Sequence, residues 1–166
     1  MNREMRRINQ QLTQAETEQI LARGTSGVLA LCGADGEPYA VPLSYVWHEG
    51  HLYFHCALSG HKVDLLGQNP RASFCVIDQD QVMPATYSTR YRSAIAFGTI
   101  RVLTDPEAKR QALLFLAERY APDQPDLHMP EIKKHFERTL VLDLELDRLT
   151  GKEAKELRPG CGTPTP

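Results

Sequence analysis

The amino-acid sequence predicts a small, mainly β barrel decorated by helices. Apolar runs of strand length recur along the chain, short turn-forming segments separate several of them, and helix-start signals stand before or between them. Antiparallel strands joined by short turns, with helices inserted at intervals, are typical of such a barrel. At 166 residues the chain is most simply one domain. We place that domain at residues 1–157 and expect a flexible tail over residues 158–166.

Composition and charge argue against several functional classes. The net charge of −2 gives no general attraction for nucleic acid or membrane lipid. The N-terminal residues are polar, with no apolar stretch suited to a signal peptide or a membrane-spanning helix. Cys32, Cys56, Cys75 and Cys161 form no CxxC pair, and three of them lie in apolar runs, as expected of core cysteines in a reducing compartment. We therefore expect a cytoplasmic protein with neither a nucleic-acid nor a membrane partner.

The first half of the chain contains the signals for a helix and three strands. Thr13 and Glu16 fit a capping box, and the helix that they begin is expected to end near Gly24. Strands are expected at residues 28–32, 39–47 and 51–56. Pro42 lies inside the second of these, so that strand is expected at a sheet edge or bulged around residues 41–43, where a bulge would free backbone groups for a ligand.

The second half supplies three more strands and two helices, which makes the predicted barrel six-stranded. Asp105 and Pro106 predict the start of a helix that ends near Tyr120. The other expected elements are strands at residues 71–77, 92–103 and 140–146, a loop at 78–90, a linker at 121–125 and a short helix at 130–136.

A strand followed by a helix start forms the most informative stretch of the chain. The strand at residues 51–56 runs into a short loop, after which Ser59 can cap a helix that begins at Gly60. His61 and Lys62 add an imidazole and an ammonium to the unpaired N–H groups of the first turn, a combination that suits a phosphate. The same residues also fit an ordinary capped helix with a solvated lysine.

Several ordered motifs resemble the split-barrel flavoproteins related to pyridoxamine 5'-phosphate oxidase, and most closely the nitroimidazole-resistance (Nim) proteins among them. The matching segments keep their order from residue 5 to residue 157, and they are residues 5–7, 27–30, 36–46, 53–62, 91–98 and 149–154. The resemblance implies a six-stranded antiparallel split β-barrel that binds FMN at the interface of a homodimer.

The resemblance also implies which residues hold the cofactor. The pyrimidine edge of the flavin is expected along Val41, Pro42, Leu43 and Ser44. The phosphate is expected at Ser59, Gly60, His61 and Lys62, where His61 replaces an Arg of many relatives and supplies no permanent charge. Arg92 and Ser93 are expected to reach the cofactor from the partner subunit, and Lys152 is a further candidate.

His55 is the residue expected to take part in chemistry. In the Nim-like pattern a His at this strand end lies close to the flavin, where it is able to donate a proton or act as a nucleophile. The alternative is a structural His whose ring binds a backbone carbonyl. A zinc site is not expected, because His51 and His55 would lie about 13 Å apart along a strand.

The function expected from this resemblance is an FMN-dependent oxidoreductase that passes electrons from a reduced nicotinamide to a small acceptor such as a nitroaromatic. Pyridoxamine-phosphate oxidase activity is not expected, because the residues from Arg158 onward lack an Arg-rich substrate segment. Two alternatives stay open. One is a non-catalytic flavin- or haem-binding protein, with His55 or His61 as a haem ligand. The other is a structural dimer with an empty groove.

Overall fold

The computed structural model describes residues 4–158, which contain seven strands and four α-helices. The strands are β1 (Ser26–Cys32), β2 (Pro38–Ser44), β3 (Val46–His48), β4 (His51–Cys56), β5 (Arg71–Met83), β6 (Ser88–Val102) and β7 (Leu140–Glu153). The helices are α1 (Gln14–Arg23), α2 (His61–Gln68), α3 (Pro106–Tyr120) and α4 (Pro125–His135). The expected tail lies outside the described residues apart from Arg158.

All seven strands form one sheet in the order β2-β1-β5-β6-β7-β4-β3, and every neighbouring pair is antiparallel. The two edge strands, β2 and β3, are consecutive in the chain and are separated by Tyr45 alone. The sheet must therefore curl until its edges meet, which makes it a barrel. The expectation of six strands is wrong, because the single strand predicted at residues 39–47 breaks at Tyr45 and its two halves pair at opposite edges.

Tyr45 is held at this corner by bonds from three directions. Its side chain is fully buried, and its hydroxyl donates to the Leu21 carbonyl at 2.8 Å. Its backbone N–H lies 2.9 Å from the Tyr120 hydroxyl and 3.3 Å from the Thr25 carbonyl. Its ring packs edge-on against Phe74 with 5.0 Å between centroids. The corner thus connects α1, α3 and the sheet at one point.

The barrel interior is filled by one apolar cluster. Leu29, Leu52, Phe54, Phe74 and Leu142 are among its fully buried members. They come from β1, β4, β5 and β7, so the interior joins strands from both halves of the chain. The alternation of buried and exposed residues along these strands is the pattern on which the barrel prediction was based.

The hairpin formed by β5 and β6 is longer than the sequence predicted. Its pairing continues to Met83 and Ser88, so most of the expected loop at residues 78–90 belongs to the two strands. The register shifts between Ile77 and Gln79, which leaves Asp78 at a bulge. The far end of the hairpin is exposed, and Tyr87 at its turn is fully accessible.

Helices α1 and α3 begin and end where their sequence signals predict. The capping box of Thr13 and Glu16 is present, and α1 ends at Arg23 as expected. Asp105 caps α3, with Pro106 in its first turn. The short helix expected at residues 130–136 instead begins at Pro125, because that proline occupies the start of the helix and not a linker.

Two further expectations concern the cysteines and membrane association. Three cysteines that were expected in the core are free but only partly buried, and they are Cys32, Cys56 and Cys75. Cys161 falls outside the described residues. Across residues 4–158 no helix has the length and apolar character needed to cross a membrane.

Replacing Tyr45 with Phe is predicted to lower the free energy of unfolding by about 1 kcal/mol at neutral pH, because the buried Leu21 carbonyl loses a donor. Burial raises the pKa of the Tyr45 phenol above its ordinary value. Its stabilising contribution is therefore complete at neutral pH and declines as the phenol of the unfolded chain ionises, above about pH 10. The difference between the parent and Tyr45→Phe should shrink there. Urea unfolding of both proteins at neutral pH and above about pH 10 measures this difference in the free energy of unfolding.

The matched control is Tyr87→Phe, since this side chain is fully exposed. Its free energy of unfolding should equal that of the parent. An equal loss of unfolding free energy in Tyr45→Phe and Tyr87→Phe would contradict a stabilising role for the Tyr45 hydroxyl.

Candidate functional site

The outer edge of β2 presents unpaired backbone groups. The backbone bonds from Tyr45 to Thr25 and from Gly33 to Glu37 continue the register of β1 with β2 at both ends. In an antiparallel pair, hydrogen-bonded and non-bonded residues alternate, so Ala40, Pro42 and Ser44 direct their backbone groups away from β1. The edge position predicted from Pro42 is confirmed, because the missing N–H faces outward. The bulge proposed at residues 41–43 is wrong, since the register there is regular.

Helix α2 begins beside this edge. Gly60 is the residue before the helix, with φ +136°, a conformation that favours glycine, and a Cβ built there would meet nothing within 4 Å. The expectation that Ser59 caps the helix is wrong, because no side chain caps it and the helix starts at His61. Val63 and Asp64 donate their N–H groups to the Gly60 carbonyl, and the N–H groups of His61 and Lys62 at the helix start are of the kind that an anion can bind.

Two side chains connect the helix start to the neighbouring strands. The His61 ring lies edge-on to the Tyr39 ring of β2, with 4.8 Å between centroids. Burial raises the pKa of the Cys56 thiol on β4, and the positive charge of Lys62 opposes this rise in part. The edge of β2 and the start of α2 thus form adjoining parts of one surface.

His55 lies near the end of β4, with its side chain exposed. It pairs with Val141 of β7 through the backbone ladder. Within the described part of the chain its ring makes no hydrogen bond, so the alternative of a structural His bound to a carbonyl does not hold for these residues. No group of three or more metal-binding side chains occurs among residues 4–158.

Arg92 is engaged within its own chain. Its guanidinium donates a hydrogen bond to Glu153 at 2.9 Å and lies 3.7 Å from Asp78. The Asp78 carboxylate also accepts two hydrogen bonds from the Arg23 guanidinium, each at 2.6 Å. Glu153 further approaches Arg158 at 3.5 Å. These residues form an ion network at one end of the barrel, and both carboxylates are largely buried. Arg92 is thus firmly positioned, but by structural partners.

Asp78 and Glu153 are the charged groups that the sequence analysis did not identify. Glu153 follows Lys152 in the last strand, where a charged residue at an exposed position would be ordinary. Asp78 lay in a predicted loop, and its direction depends on the bulge in β5. Neither carries a local sequence signal, because their roles depend on the pairing of β6 with β5 and β7.

Ser93 and Lys152 are cross-strand partners on β6 and β7. Lys152 lies eleven residues farther along β7 than Val141, the partner of His55, which is roughly 36 Å of strand. The pairing thus separates His55 from Lys152, and we divide the predicted site residues into two groups by the strands that carry them. The first comprises residues 41–44 and 55–62, and the second comprises Arg92, Ser93 and Lys152.

A broad outer face of the sheet lies between the two groups. The register places Pro42, Val28, Cys75, Ile95 and Thr150 in one row across five strands, on the side opposite the core. Val28 is 38% exposed, and Ile77 on the same side of β5 is 67% exposed. Small and apolar side chains on an accessible sheet face are typical of a protein interface.

Comparisons with known proteins agree with this architecture. An uncharacterised protein of Rhizobium meliloti is 26% identical over 92 residues, which are 55% of this chain and 56% of that protein. The aligned region thus spans little more than half the length of that curated relative.

Solved structures show the same fold. A protein of Bacteroides thetaiotaomicron, provisionally assigned to 5-nitroimidazole antibiotic resistance, superposes with a TM-score of 0.74 at 24% identity, with 86% of each chain covered. The FAD and haem binding protein of Mycobacterium smegmatis gives a TM-score of 0.73 at 25% identity, with 88% of this chain and 74% of that one covered.

The family model described as pyridoxamine 5'-phosphate oxidase matches residues 13–153. This range extends from the cap of α1 to the end of β7 and includes the whole sheet. The chain therefore belongs to the pyridoxamine 5'-phosphate oxidase family.

Proposed function

We propose that the protein binds FMN between two copies of the chain and passes electrons from a reduced nicotinamide to a small acceptor such as a nitroaromatic. The observation that carries this proposal is the junction of the free β2 edge with the open start of α2. One part offers backbone donors and acceptors in a row, and the other offers N–H groups and a cation.

These residues fit the two polar ends of a flavin mononucleotide. The N–H and C=O groups directed outward from Ala40 and Ser44, with the Pro42 carbonyl between them, suit the alternating donors and acceptors of the pyrimidine ring. The first turn of α2 and the Lys62 ammonium suit the phosphate. Gly60 leaves room for the phosphate to approach the backbone. When bound, the flavin supplies the two-electron transfer.

The separation of the site residues supports a homodimer. Lys152 lies roughly 36 Å of strand from the end of β4 that leads into α2, whereas a second copy that packs on the outer face brings its own Ser93–Lys152 pair close. Val28 and Ile77 supply exposed apolar area for this contact. Each cofactor would then lie between the β2–α2 junction of one chain and the Ser93–Lys152 pair of the other.

His55 supports either electron transfer or haem ligation. Its ring is exposed and unbonded among the described residues, so it is free to donate a proton to an acceptor or to bind iron. The Mycobacterium smegmatis neighbour is a FAD and haem binding protein. We therefore retain a flavin- or haem-binding protein without catalytic activity as the second candidate.

The absorption spectrum of the full chain, purified without added cofactor, tests the proposal first. Flavin bands, or quenching of FMN fluorescence at one FMN per chain on titration, would support it. A dominant Soret band would favour haem binding, and the absence of both bands and of FMN binding would refute the flavin proposal.

Lys62→Ala is predicted to weaken FMN binding by roughly tenfold to a hundredfold, the usual effect of losing a charge-assisted hydrogen bond. Riboflavin has no phosphate, so its affinity should change little. Fluorescence titration with both ligands measures the difference. Lys134→Ala, which removes an exposed lysine from α4, is the control and should bind both as the parent does. Equal losses for FMN and riboflavin would rule out Lys62 as a phosphate ligand.

Val28→Glu is predicted to convert the dimer to monomers and to reduce FMN affinity, because it places a charge at the centre of the outer face. Light scattering coupled to size exclusion gives the mass, and titration gives the affinity. The control is Leu127→Glu, since Leu127 is 54% exposed on α4. A Val28→Glu protein that stays dimeric, or a parent that is monomeric, would exclude this face as the interface.

His55→Ala is predicted to slow reduction of a nitroaromatic by roughly a hundredfold or more, within the usual range for loss of a general acid. FMN affinity should change far less than in Lys62→Ala, because the exposed His55 ring is assigned to proton donation and not to the phosphate or the pyrimidine edge. Stopped-flow reoxidation of the reduced flavin measures the rate. Reduction at the parental rate would remove His55 from the mechanism.

A further inference from the structure

A cavity of about 590 Å³ lies where the N-terminal segment meets β7. Met5, Ile8 and Leu149 supply its apolar walls, Thr150 and Gln11 add polar groups, and Arg148 supplies a cation. This volume is suitable for a small aromatic molecule. None of the predicted cofactor residues lines it, so it is not part of the proposed flavin contacts.

Arg148 is arranged to receive an anion. Its guanidinium carbon lies 3.6 Å from the centre of the Phe97 ring, which is the cross-strand partner of Arg148. Stacking occupies the face of the guanidinium and leaves its N–H groups free at the edge. Among residues 4–158 these N–H groups make no hydrogen bond or ion pair, whereas Arg92 is paired with Glu153 and Asp78.

The position of this cavity connects it to the second group of site residues. Arg148, Thr150 and Lys152 alternate along β7 and therefore lie on one face of the sheet, with about 7 Å between successive residues. Gln11 of the N-terminal segment pairs with Lys152 through an isolated bridge. Thr150, which lines the cavity, thus lies two residues along β7 from Lys152, which is proposed to reach the flavin.

We propose that this cavity binds a small aromatic carboxylate, with the carboxylate on Arg148 and the ring against Met5, Ile8 and Leu149. The role of this cavity as the electron-acceptor site rests on the proposed function. The binding of an aromatic carboxylate in the cavity does not. It narrows the acceptor from any nitroaromatic to one that carries a single negative charge.

The charges around the cavity favour a carboxylate over a phosphate. A guanidinium edge matches the two oxygens of a planar carboxylate. Glu4 also lines the cavity and is exposed at residue 4, so a doubly charged phosphate would meet a carboxylate as well as one arginine. A singly charged carboxylate can pair with Arg148 and is repelled less by Glu4 than a doubly charged phosphate.

The test compares 4-nitrobenzoate with its neutral analogue 4-nitrobenzamide on the full chain, as purified and again after saturation with FMN. Trp47 is the single tryptophan and lines an adjoining cavity that shares Arg148 and Leu149, so its fluorescence reports binding. Calorimetry is the second measurement. Arg148→Met should weaken 4-nitrobenzoate at least about tenfold and leave 4-nitrobenzamide nearly unchanged. Arg148→Lys and Phe97→Leu should each weaken 4-nitrobenzoate by less, because both keep the positive charge although one loses the guanidinium edge and the other loses the ring that orients it.

Arg138→Met is the matched control, because it removes the same charge from an exposed position after α4. It should bind both compounds as the parent does. Equal loss of both compounds in Arg148→Met, loss in the control, or no 4-nitrobenzoate binding by the parent would each overturn the inference.

Reoxidation of reduced FMN separates this inference from the proposed function. If Arg148 governs binding of 4-nitrobenzoate but the compound does not reoxidise the flavin, the site stands and the proposed electron transfer fails. If reoxidation is fast and independent of Arg148, the proposed function stands and the inference fails.

Discussion

The meeting of the two sheet edges at Tyr45 is the constraint on which the rest of the structure depends. β2 and β3 pair with strands at opposite ends of the sheet order, yet a single residue joins them. The cost of burying a phenol and the backbone polar groups at this point is offset by hydrogen bonds to Leu21, Thr25 and Tyr120. Gly24 belongs to the same arrangement, since a Cβ there would lie 2.4 Å from the Tyr45 hydroxyl.

This corner also determines where a ligand can bind. The chain leaves β2 at the corner and continues into β3 at the opposite end of the sheet order. The outer edge of β2 therefore has no strand partner, and its backbone groups remain available. The curl of the sheet brings that edge beside the start of α2, where Tyr39 contacts His61. Barrel closure and the candidate cofactor site are thus consequences of the same geometry, and Pro42 protects the exposed edge from pairing with another strand.

Local sequence signals predicted the parts of the fold that depend on local chemistry. The capping box at Thr13 and the Asp105–Pro106 start of α3 are complete within four residues, so pattern was sufficient. The hairpin beyond Ile77 was missed because its residues are polar or exposed on both sides and have no periodicity.

Features that depend on pairing were less accessible from sequence. The break at Tyr45 lies inside an unbroken strand pattern, and only the sheet order separates its halves. Gly60 replaces Ser59 at the start of α2 because of its backbone angle, which composition does not specify. The candidate site residues were named from the family resemblance, whereas the separation of His55 from Lys152 follows from the register of β4 and β6 with β7.

The pairing of β4 with β7 has a consequence for how the protein is made. Every residue of the β2–α2 junction has been synthesised by residue 62, but β4 pairs on its inner side with a strand that begins at Leu140. A growing chain therefore carries the complete β2–α2 junction long before the barrel can close around its core. The junction reaches its final surroundings only when the last strand is added, and a chain that ends before β7 leaves β4 and β6 each without a strand partner on one side.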